Sequence, residues 1–332
     1  MDVMTEGIKM TVVSAMKFNE NEGAIIADEQ SSNLFANRKY DLATKVHTII
    51  DRDEDNSDGS TIKVVIGGTG VTNILYEISE KSVKYANSTK NITCGNDVIQ
   101  LCKQIMADTR RQLLDSFIEV NTGWNRKEIL SGGRKLADGS TESVTEILIG
   151  EYKRSIEEAG KSDIFNNAFV AISFDKFGFK LYELNMGLPK PFLISGPYST
   201  VGSGRDMADG ELYSFFEKIP RDERHDIDPI DGIGALLSAT EKASMRNIGV
   251  GGTPMISAII NGTIVNPNEN NTRLSVEIVK AYNSGFLPDQ FYKEAIANLI
   301  YGSGDFKVVE KVMWEATEKP EELSRMLRGY KA

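Results

Sequence analysis

Thr11 is the residue of this chain whose surroundings could support nucleophilic chemistry. It begins an apolar run, residues 11–18, directly after Met10. A threonine hydroxyl is a weak nucleophile at neutral pH and needs a base. Its own α-amino group, with a pKa of about 7.7–8.0, could be that base once the preceding peptide bond is broken. Thr11 is therefore a candidate nucleophile, and the bond between Met10 and Thr11 is the predicted processing site.

Three further groups would complete such a site. A positive charge must tune the hydroxyl, a carboxylate must orient that charge, and a backbone N–H must bind the developing oxyanion. Lys45 in "ATKVHTI", Asp28 at the end of "GAIIAD" and Gly67 at the end of "STIKVVIGG" offer these groups. The same residue types are also typical of an ordinary β-hairpin protein, so the residues alone leave both interpretations open.

The elements around these residues are predicted from hydrophobic periodicity. Residues 11–18 and 23–28 read as a hairpin, 34–50 as a bent or paired strand segment, and 60–68 as a buried strand. Further strands are expected at 167–175, 179–187 and 192–204. The Asn261-Gly262 turn joins one more pair.

Helices are expected between these blocks of strands. Apolar spacing predicts one helix from Val71 and a second through residues 97–120, capped by Asn96 or Asp97. Two helices follow residue 204, and the tail from 271 reads as helical. Strands in blocks with paired helices between them predict an α+β fold, in which antiparallel sheets are sandwiched between helical layers.

The bulk composition excludes several classes of protein. The chain has 332 residues, of which 40% are hydrophobic and 26% charged, as in an average soluble domain. Its net charge of −10 argues against nucleic acid as a partner. No apolar run approaches the roughly 18 residues of a membrane helix, and residues 1–10 are too polar for a secretory signal. A cytoplasmic protein that binds no membrane is the simplest interpretation.

Other motifs favour structural roles. "GGTGVTN" (67–73) has Asn73 where a dinucleotide-binding loop needs a third glycine. "VGSGRD" (201–206) is not a serine nucleophile elbow. The charged run 222–228 is interpreted as solvated. With two histidines and two cysteines, the chain predicts no metal site and no cofactor.

The spacing of the candidate residues resembles a known family. Thr11, Asp28 and Lys45 follow one another at intervals of 17 residues, and "VVIGGTG" follows them. This arrangement resembles the N-terminal part of proteasome β-subunits and of the bacterial HslV peptidase, which are N-terminal nucleophile hydrolases. The likeness continues in "FVAISFDKFGFKLYELNMG", "STVGSGRDMADGEL" and "ATEKASMRNIGVGG". It implies a four-layer αββα sandwich of two antiparallel sheets between helical layers.

The resemblance also implies roles and boundaries. Thr11 would be the nucleophile and, through its freed amine, the base; Lys45 would lower the pKa of the hydroxyl, and Asp28 would hold Lys45. The remaining implied residues are the oxyanion donor Gly67, the amine partners Ser203 and Asn247, and the pocket residues Ala43, His47 and Val65. The domain would span 11–270 with an insertion at about 121–162. Residues 1–10 would be a propeptide or lie upstream of a true start at Met10, and 271–332 would be a helical extension.

Two departures from the family leave the activity open. Asn247 replaces an aspartate and Val250 replaces a serine, and both normally position the N-terminal amine. The resemblance implies a threonine peptidase or amide hydrolase that processes itself, acts on a peptide or protein, and forms a homo-oligomer; an ATPase partner cannot be identified. The alternatives are a transpeptidase or ligase with the same acyl-enzyme chemistry, and an inactive scaffold protein.

Overall fold

The computed structural model describes residues 11–29, 31–33, 38–40, 44–53, 61–246, 250–302 and 304–327. The strands in these ranges are, in chain order, β1 (Val13–Lys17), β2 (Gly23–Ala27), β3 (Ser31–Asn33), β4 (Arg38–Tyr40), β5 (Val46–Arg52), β6 (Ile62–Thr69), β7 (Gly133–Lys135), β8 (Thr141–Ser143), β9 (Ala168–Asp175), β10 (Gly178–Asn185), β11 (Phe192–Ile194), β12 (Tyr198–Val201), β13 (Met255–Ile260) and β14 (Thr263–Val265).

In the described ranges, helices lie between and after the blocks of strands along the chain. In chain order they are α1 (Thr72–Ser88), α2 (Gly95–Thr122), α3 (Arg126–Leu130), α4 (Glu146–Lys161), the short 3₁₀ turn Asp163–Phe165, α5 (Arg205–Glu217), α6 (Pro229–Arg246), α7 (Glu269–Asn283), α8 (Asp289–Ile300), α9 (Phe306–Ala316) and α10 (Pro320–Met326). The described part of the tail from residue 271 is helical, as predicted.

Two five-stranded antiparallel sheets form the centre of the molecule. The first has the order β12-β1-β2-β13-β14 and the second has the order β11-β10-β9-β6-β5. The predicted hairpins are present: Val13 lies opposite Ala27, and a turn at Asn261 and Gly262 joins β13 to β14. Both turn residues have positive φ, 50° and 73°, as a tight hairpin turn requires.

Three apolar layers hold the sheets and helices together. Val13, Ala15 and Ile25 pack between the two sheets with residues of β6 and β9. The outer face of the second sheet packs on α1 and α2, and Val12 and Met16 turn the other way, toward α5 and α6. The predicted four-layer αββα sandwich is therefore confirmed. Both faces of β1 are covered, and all of its residues except Lys17 are buried.

The predicted strand at 192–204 is wrong as a single element. The chain makes β11 at the edge of the second sheet and then crosses to the first sheet as β12. Gly196 and Pro197 lie between the two strands, and such a pair commonly interrupts a strand.

The predicted cap of α2 is also corrected. The helix begins at Gly95 with Cys94 as its N-cap, so Asn96 and Asp97 lie within the first turn. The Asp97 carboxylate accepts hydrogen bonds from the N–H groups of Thr93 and Cys94, at 2.9 and 3.2 Å. Asp97 therefore closes the helix start from its third position.

The region predicted as an insertion builds a small unit on the far end of α2. It comprises α3, the β7–β8 hairpin and α4, with its own apolar cluster of Ile118, Trp124, Ile129 and Leu148. By contrast, the tail helices join the core of the first sheet: Leu274, Tyr292 and Met313 belong to the same cluster as Val12 and Met16.

Candidate active site

Thr11 lies immediately before β1 and is almost completely buried. Its side chain is 8% exposed, and its Oγ1 lies 3.1 Å from the Nζ of Lys45, which donates the hydrogen bond. The strands of both sheets converge here, because Lys45 precedes β5 of the second sheet while Thr11 precedes β1 of the first. The fold thus brings together two residues that are 34 positions apart.

The same ammonium group bridges Thr11 to Asp28. Lys45 Nζ lies 2.9 Å from Asp28 Oδ1, and the two side chains are 7% and 1% exposed. Asp28 follows the last residue of β2, and its Oδ1 also accepts the N–H of Val12 at 2.9 Å. The main chain closes the hairpin here, since the Asp28 N–H donates to the Val12 carbonyl at 3.1 Å. The carboxylate is thereby fixed to the residue next to Thr11.

Burial perturbs both members of this ion pair. Burial lowers the pKa of Lys45, and the charges of Asp28 and Glu29 act against that shift. Burial likewise raises the pKa of Asp28, against the effect of Lys45 and of the N–H groups of Val12 and Gly251. Each group is pushed toward its neutral form because it has lost most of its water. A proton can therefore leave Lys45 more easily than it leaves an exposed lysine.

The loop before α5 holds the main chain of Thr11. The Thr11 N–H donates to Ser203 Oγ at 3.1 Å, and the Gly204 N–H donates to the Thr11 carbonyl at 3.1 Å. Gly202 has a φ of +105°, and a Cβ at that position would lie 2.1 Å from the Thr11 carbonyl oxygen. A side chain at residue 202 would push Thr11 out of place.

The segment 250–254 approaches Asp28 from the side of α6. The Gly251 N–H lies 3.4 Å from Asp28 Oδ2, a contact that sequence reasoning missed. Val250 is 3% exposed and packs in the core of the first sheet, so it offers the amine no hydrogen bond. Asn247, predicted to position the amine, lies outside the described residues, as does Met10 of the predicted processing site.

Gly67 does not have the predicted orientation. The Gly68 N–H donates to the Lys45 carbonyl at 2.9 Å, so this N–H is directed at β5. Backbone N–H groups alternate along a strand, which directs the Gly67 N–H at its register partner Val170 in β9. The Gly67 N–H is therefore used in the pairing of β6 with β9 and is not directed at Thr11. Gly70, just past the end of β6 with a φ of +138°, is another glycine of the same "GGTG" stretch and becomes the alternative candidate for an oxyanion donor.

The two predicted pocket residues that the structure describes do not line one surface. His47 lies opposite Ile66 and faces α1, where its ring is 6.4 Å from that of Tyr76. Val65 is fully buried between the two sheets. The two side chains project from opposite faces of the second sheet, so Val65 does not share a pocket with His47. Ala43 lies outside the described residues.

The described residues contain no group of three or more His, Cys, Asp and Glu side chains arranged to hold a metal ion. None of the helices in these ranges combines the length and the apolar character needed to cross a membrane.

Comparison with known proteins supports a proteasome-like fold. No family model matches the sequence, and no curated protein matches it. Among solved structures, Anbu (ancestral beta-subunit) from Yersinia bercovieri is 10% identical, with a TM-score of 0.54 over 82% of this chain and 94% of its own. An Anbu (Gly-1) mutant from Hyphomicrobium sp. strain MC1, also 10% identical, gives a TM-score of 0.47 over 74% and 80%.

The Yersinia bercovieri neighbour corrects the family prediction. Anbu proteins are proteasome-like but form a family distinct from the proteasome β-subunits and HslV, so assignment to that family is wrong. At 10% identity the likeness establishes the fold and nothing finer. The chain therefore has a proteasome-like fold, and its chemistry has to be argued from its own residues.

Proposed function

We propose that this protein is a threonine-type peptidase or amidohydrolase in which Thr11, once it is the first residue, acts as the nucleophile. The observation that carries the proposal is the ammonium group of Lys45, which lies between Thr11 Oγ1 and Asp28 Oδ1 at 3.1 and 2.9 Å in a buried site. A buried cation on a threonine hydroxyl favours the alkoxide and lowers the pKa of that hydroxyl.

The reaction is an acyl transfer in two stages. The freed amine of Thr11 takes the hydroxyl proton while Oγ1 attacks the carbonyl carbon of the substrate. The C–N bond then breaks, the leaving amine receives the proton, and the acyl group remains as an ester on Oγ1. A water molecule, deprotonated by the same amine, hydrolyses the ester. The Gly70 N–H is the proposed donor to the oxyanion of both tetrahedral intermediates.

The base in this scheme exists only after a bond is broken. In the chain from residue 1 to 332, the nitrogen of Thr11 belongs to an amide and cannot accept a proton at neutral pH. We therefore expect the chain that retains residues 1–10 to be inactive. In the processed protein, Ser203 Oγ, 3.1 Å from this nitrogen, would hold the amine beside Oγ1.

The scaffold alternative has one observation in its favour. Val250 lies in the core at the position where the resembled family has an amine-positioning serine, and this leaves Ser203 as the described side chain bonded to the Thr11 nitrogen. Against it, Thr11, Lys45 and Asp28 are all present and in contact. A transpeptidase or ligase would use the same ester and differ only in an amine that replaces water as the acceptor.

Hydrolysis by protein of defined start tests the proposal. A fusion cleaved to leave Thr11 as the first residue should hydrolyse members of a fluorogenic peptide library. The matched preparation starting with Ala in place of Thr11 should not, and neither should a preparation that keeps one residue before Thr11. Turnover that persists with Thr11→Ala would refute the assignment, and a well-folded Thr11 protein that forms no ester with any library member would favour the scaffold.

Assembly and location stay predictions. The resemblance predicts a homo-oligomer, and the unit on the end of α2 exposes apolar side chains such as Leu130, Ile147 and Ile149, which an interface could cover. Light scattering in solution should give a mass that is a multiple of 36.7 kDa. A monomer at all concentrations would contradict the predicted oligomer without bearing on Thr11.

A further inference from the structure

Glu29, directly after Asp28, connects the hairpin to the segment 250–254. The Glu29 N–H donates to the Gly251 carbonyl oxygen at 3.1 Å. Its side-chain Oε2 accepts the N–H of Thr253, also at 3.1 Å. One residue therefore holds two points of a segment that is about 220 positions away in the chain.

The same segment contacts the Asp28 carboxylate. The Gly251 N–H lies 3.4 Å from Asp28 Oδ2, so the two bonds of Glu29 and this contact form one cluster. A shift of the segment would change the contact with Asp28 and, through Asp28, the place of the Lys45 ammonium. Glu29 thus acts on the site through the main chain of its neighbours.

The carboxylate of Glu29 also acts on Lys45 through its charge. The negative charge of Asp28 and, to a smaller extent, that of Glu29 favour the protonated form of Lys45. Glu29 lines a cavity of about 270 Å³ together with Val46 and Met255, and the Lys45 N–H lies 3.5 Å from Met255 Sδ. Glu29 therefore shares this cavity with the residue that follows Lys45 and with the sulfur that the main-chain N–H of Lys45 contacts.

We propose that Glu29 is a positioning residue of the Thr11 site: it fixes the segment 250–254 against Asp28, and its carboxylate belongs to the electrostatic surroundings of Lys45. The catalytic part of this role rests on the proposed function. The structural and electrostatic parts concern Lys45 itself and do not need any turnover.

Other charged groups around Lys45 supply the controls. Asp28 directly precedes Glu29 in the chain, and His47 lies two residues after Lys45 in β5. Glu269 of α7 lines the same cavity as Glu29. On the far side of the segment, a second cavity contains Glu241 and Glu277, together with Arg273 and Lys280. Glu269 makes a matched control because it is a carboxylate on the Glu29 cavity and belongs to α7 rather than to the hairpin.

Three variants separate charge from hydrogen bonding. Glu29→Gln removes the charge and keeps an oxygen that can accept the Thr253 N–H. Glu29→Ala removes both, and Glu269→Gln removes one charge from the same cavity. In protein labelled with ¹³C at lysine Cε, NMR gives the titration midpoint of Lys45, with its signal assigned by its loss in Lys45→Arg.

We expect Glu29→Gln to lower that midpoint by about half a pH unit or more, while Glu269→Gln moves it clearly less. Glu29→Ala should in addition lower Tm relative to Glu29→Gln, because the Thr253 N–H loses its acceptor. In active protein, Glu29→Gln should move the alkaline limb of the pH–rate profile toward neutrality, a loss of about 3-fold above the midpoint.

An unchanged Lys45 midpoint in Glu29→Gln would overturn the electrostatic role, and so would an equal shift in Glu269→Gln. Equal Tm values for the Gln and Ala variants would overturn the positioning role. If the Thr11 protein forms no ester, the proposed function fails while the NMR midpoints and Tm values still decide the assignment of Glu29.

Discussion

Replacing Lys45 by methionine should damage both stability and chemistry, and in a pH-dependent way. Methionine preserves most of the apolar stem of lysine and removes the ammonium group. Within the described ranges, the Asp28 carboxylate, 1% exposed, would then keep the N–H groups of Val12 and Gly251. Lys45→Met therefore leaves a buried charge without its counter-ion.

The expected cost follows from that burial. Removing one partner of a buried ion pair costs about 3–5 kcal/mol, because the remaining charge keeps its desolvation penalty. For a chain of this length, 1 kcal/mol corresponds to about 2 °C in Tm, which predicts a fall of about 6–10 °C at pH 7. The loss of the cation from the Thr11 hydroxyl should lower the rate of acylation by about 100-fold or more.

The pH dependence has a definite sign. Burial raises the folded-state pKa of Asp28 above its unfolded value, and the loss of Lys45 raises this pKa further. The folded state then binds the proton more tightly than the unfolded chain does. The destabilisation of Lys45→Met should therefore shrink as pH falls below the folded pKa of Asp28 toward about 4.

Thermal unfolding of four proteins between about pH 4 and pH 8 measures this effect. The four proteins are the wild type, Lys45→Met, Asp28→Asn and the double variant. In the last two, the amide oxygen at position 28 can still accept the Val12 N–H. The double variant should be more stable than Lys45→Met at the upper end of that range. A Lys45→Met protein with wild-type Tm at every pH would refute the buried ion pair as the structural centre of the site.

Three further predictions concern the neighbourhood of Thr11 and the core. Gly202→Ala should lower the free energy of unfolding by about 3 kcal/mol or more and abolish reaction at Thr11. The control Gly210→Ala, on α5 with open space around it, should leave stability unchanged or raise it by about 0.5–1 kcal/mol. Equal Tm values for the two variants would contradict the close approach at residue 202. Ser203→Ala should slow acylation of the processed protein by about 10-fold with little change in Tm, since it removes a single hydrogen bond to the Thr11 nitrogen, and an unchanged rate would show that another group holds the amine. Burial raises the pKa of the Cys102 thiol to about 11, so iodoacetamide at mildly alkaline pH should alkylate Cys102 only after unfolding, as peptide mass mapping can show; rapid alkylation in the native protein would contradict the packing of α2 on the second sheet.

Much of the fold could be predicted because local signals agreed with it. The hairpin of β1 and β2 has a polar turn between two apolar runs. Asn261-Gly262 is a sequence typical of a two-residue hairpin turn, because both residues tolerate positive φ. The blocks of strands and paired helices predicted the layers. The resemblance of spacing led to the right fold through the wrong family, since the positions of strands in a layered fold are shared more widely than membership of one family.

The failures lie where the sequence carries no directional signal. Strands β1 and β6 are buried on both faces, so no alternation of polar and apolar residues shows which face Val65 occupies. The direction of the Gly67 N–H depends on register with β5 and β9, which spacing along the chain does not contain. The contacts of Glu29 with segment 250–254 join residues that are far apart in sequence, and neither stretch has a motif that indicates the other.

The central claim is that Thr11 is a nucleophile when its α-amine is free and its hydroxyl accepts the hydrogen bond of Lys45. A peptide epoxyketone tests it most directly, because a stable ring forms only with a residue that offers both a hydroxyl and a free α-amine. Protein that begins at Thr11 should gain one probe per chain, mapped by mass spectrometry to Thr11, and Thr11→Ala should gain none. No adduct on folded protein that begins at Thr11, or an adduct that persists in Thr11→Ala, would contradict the account.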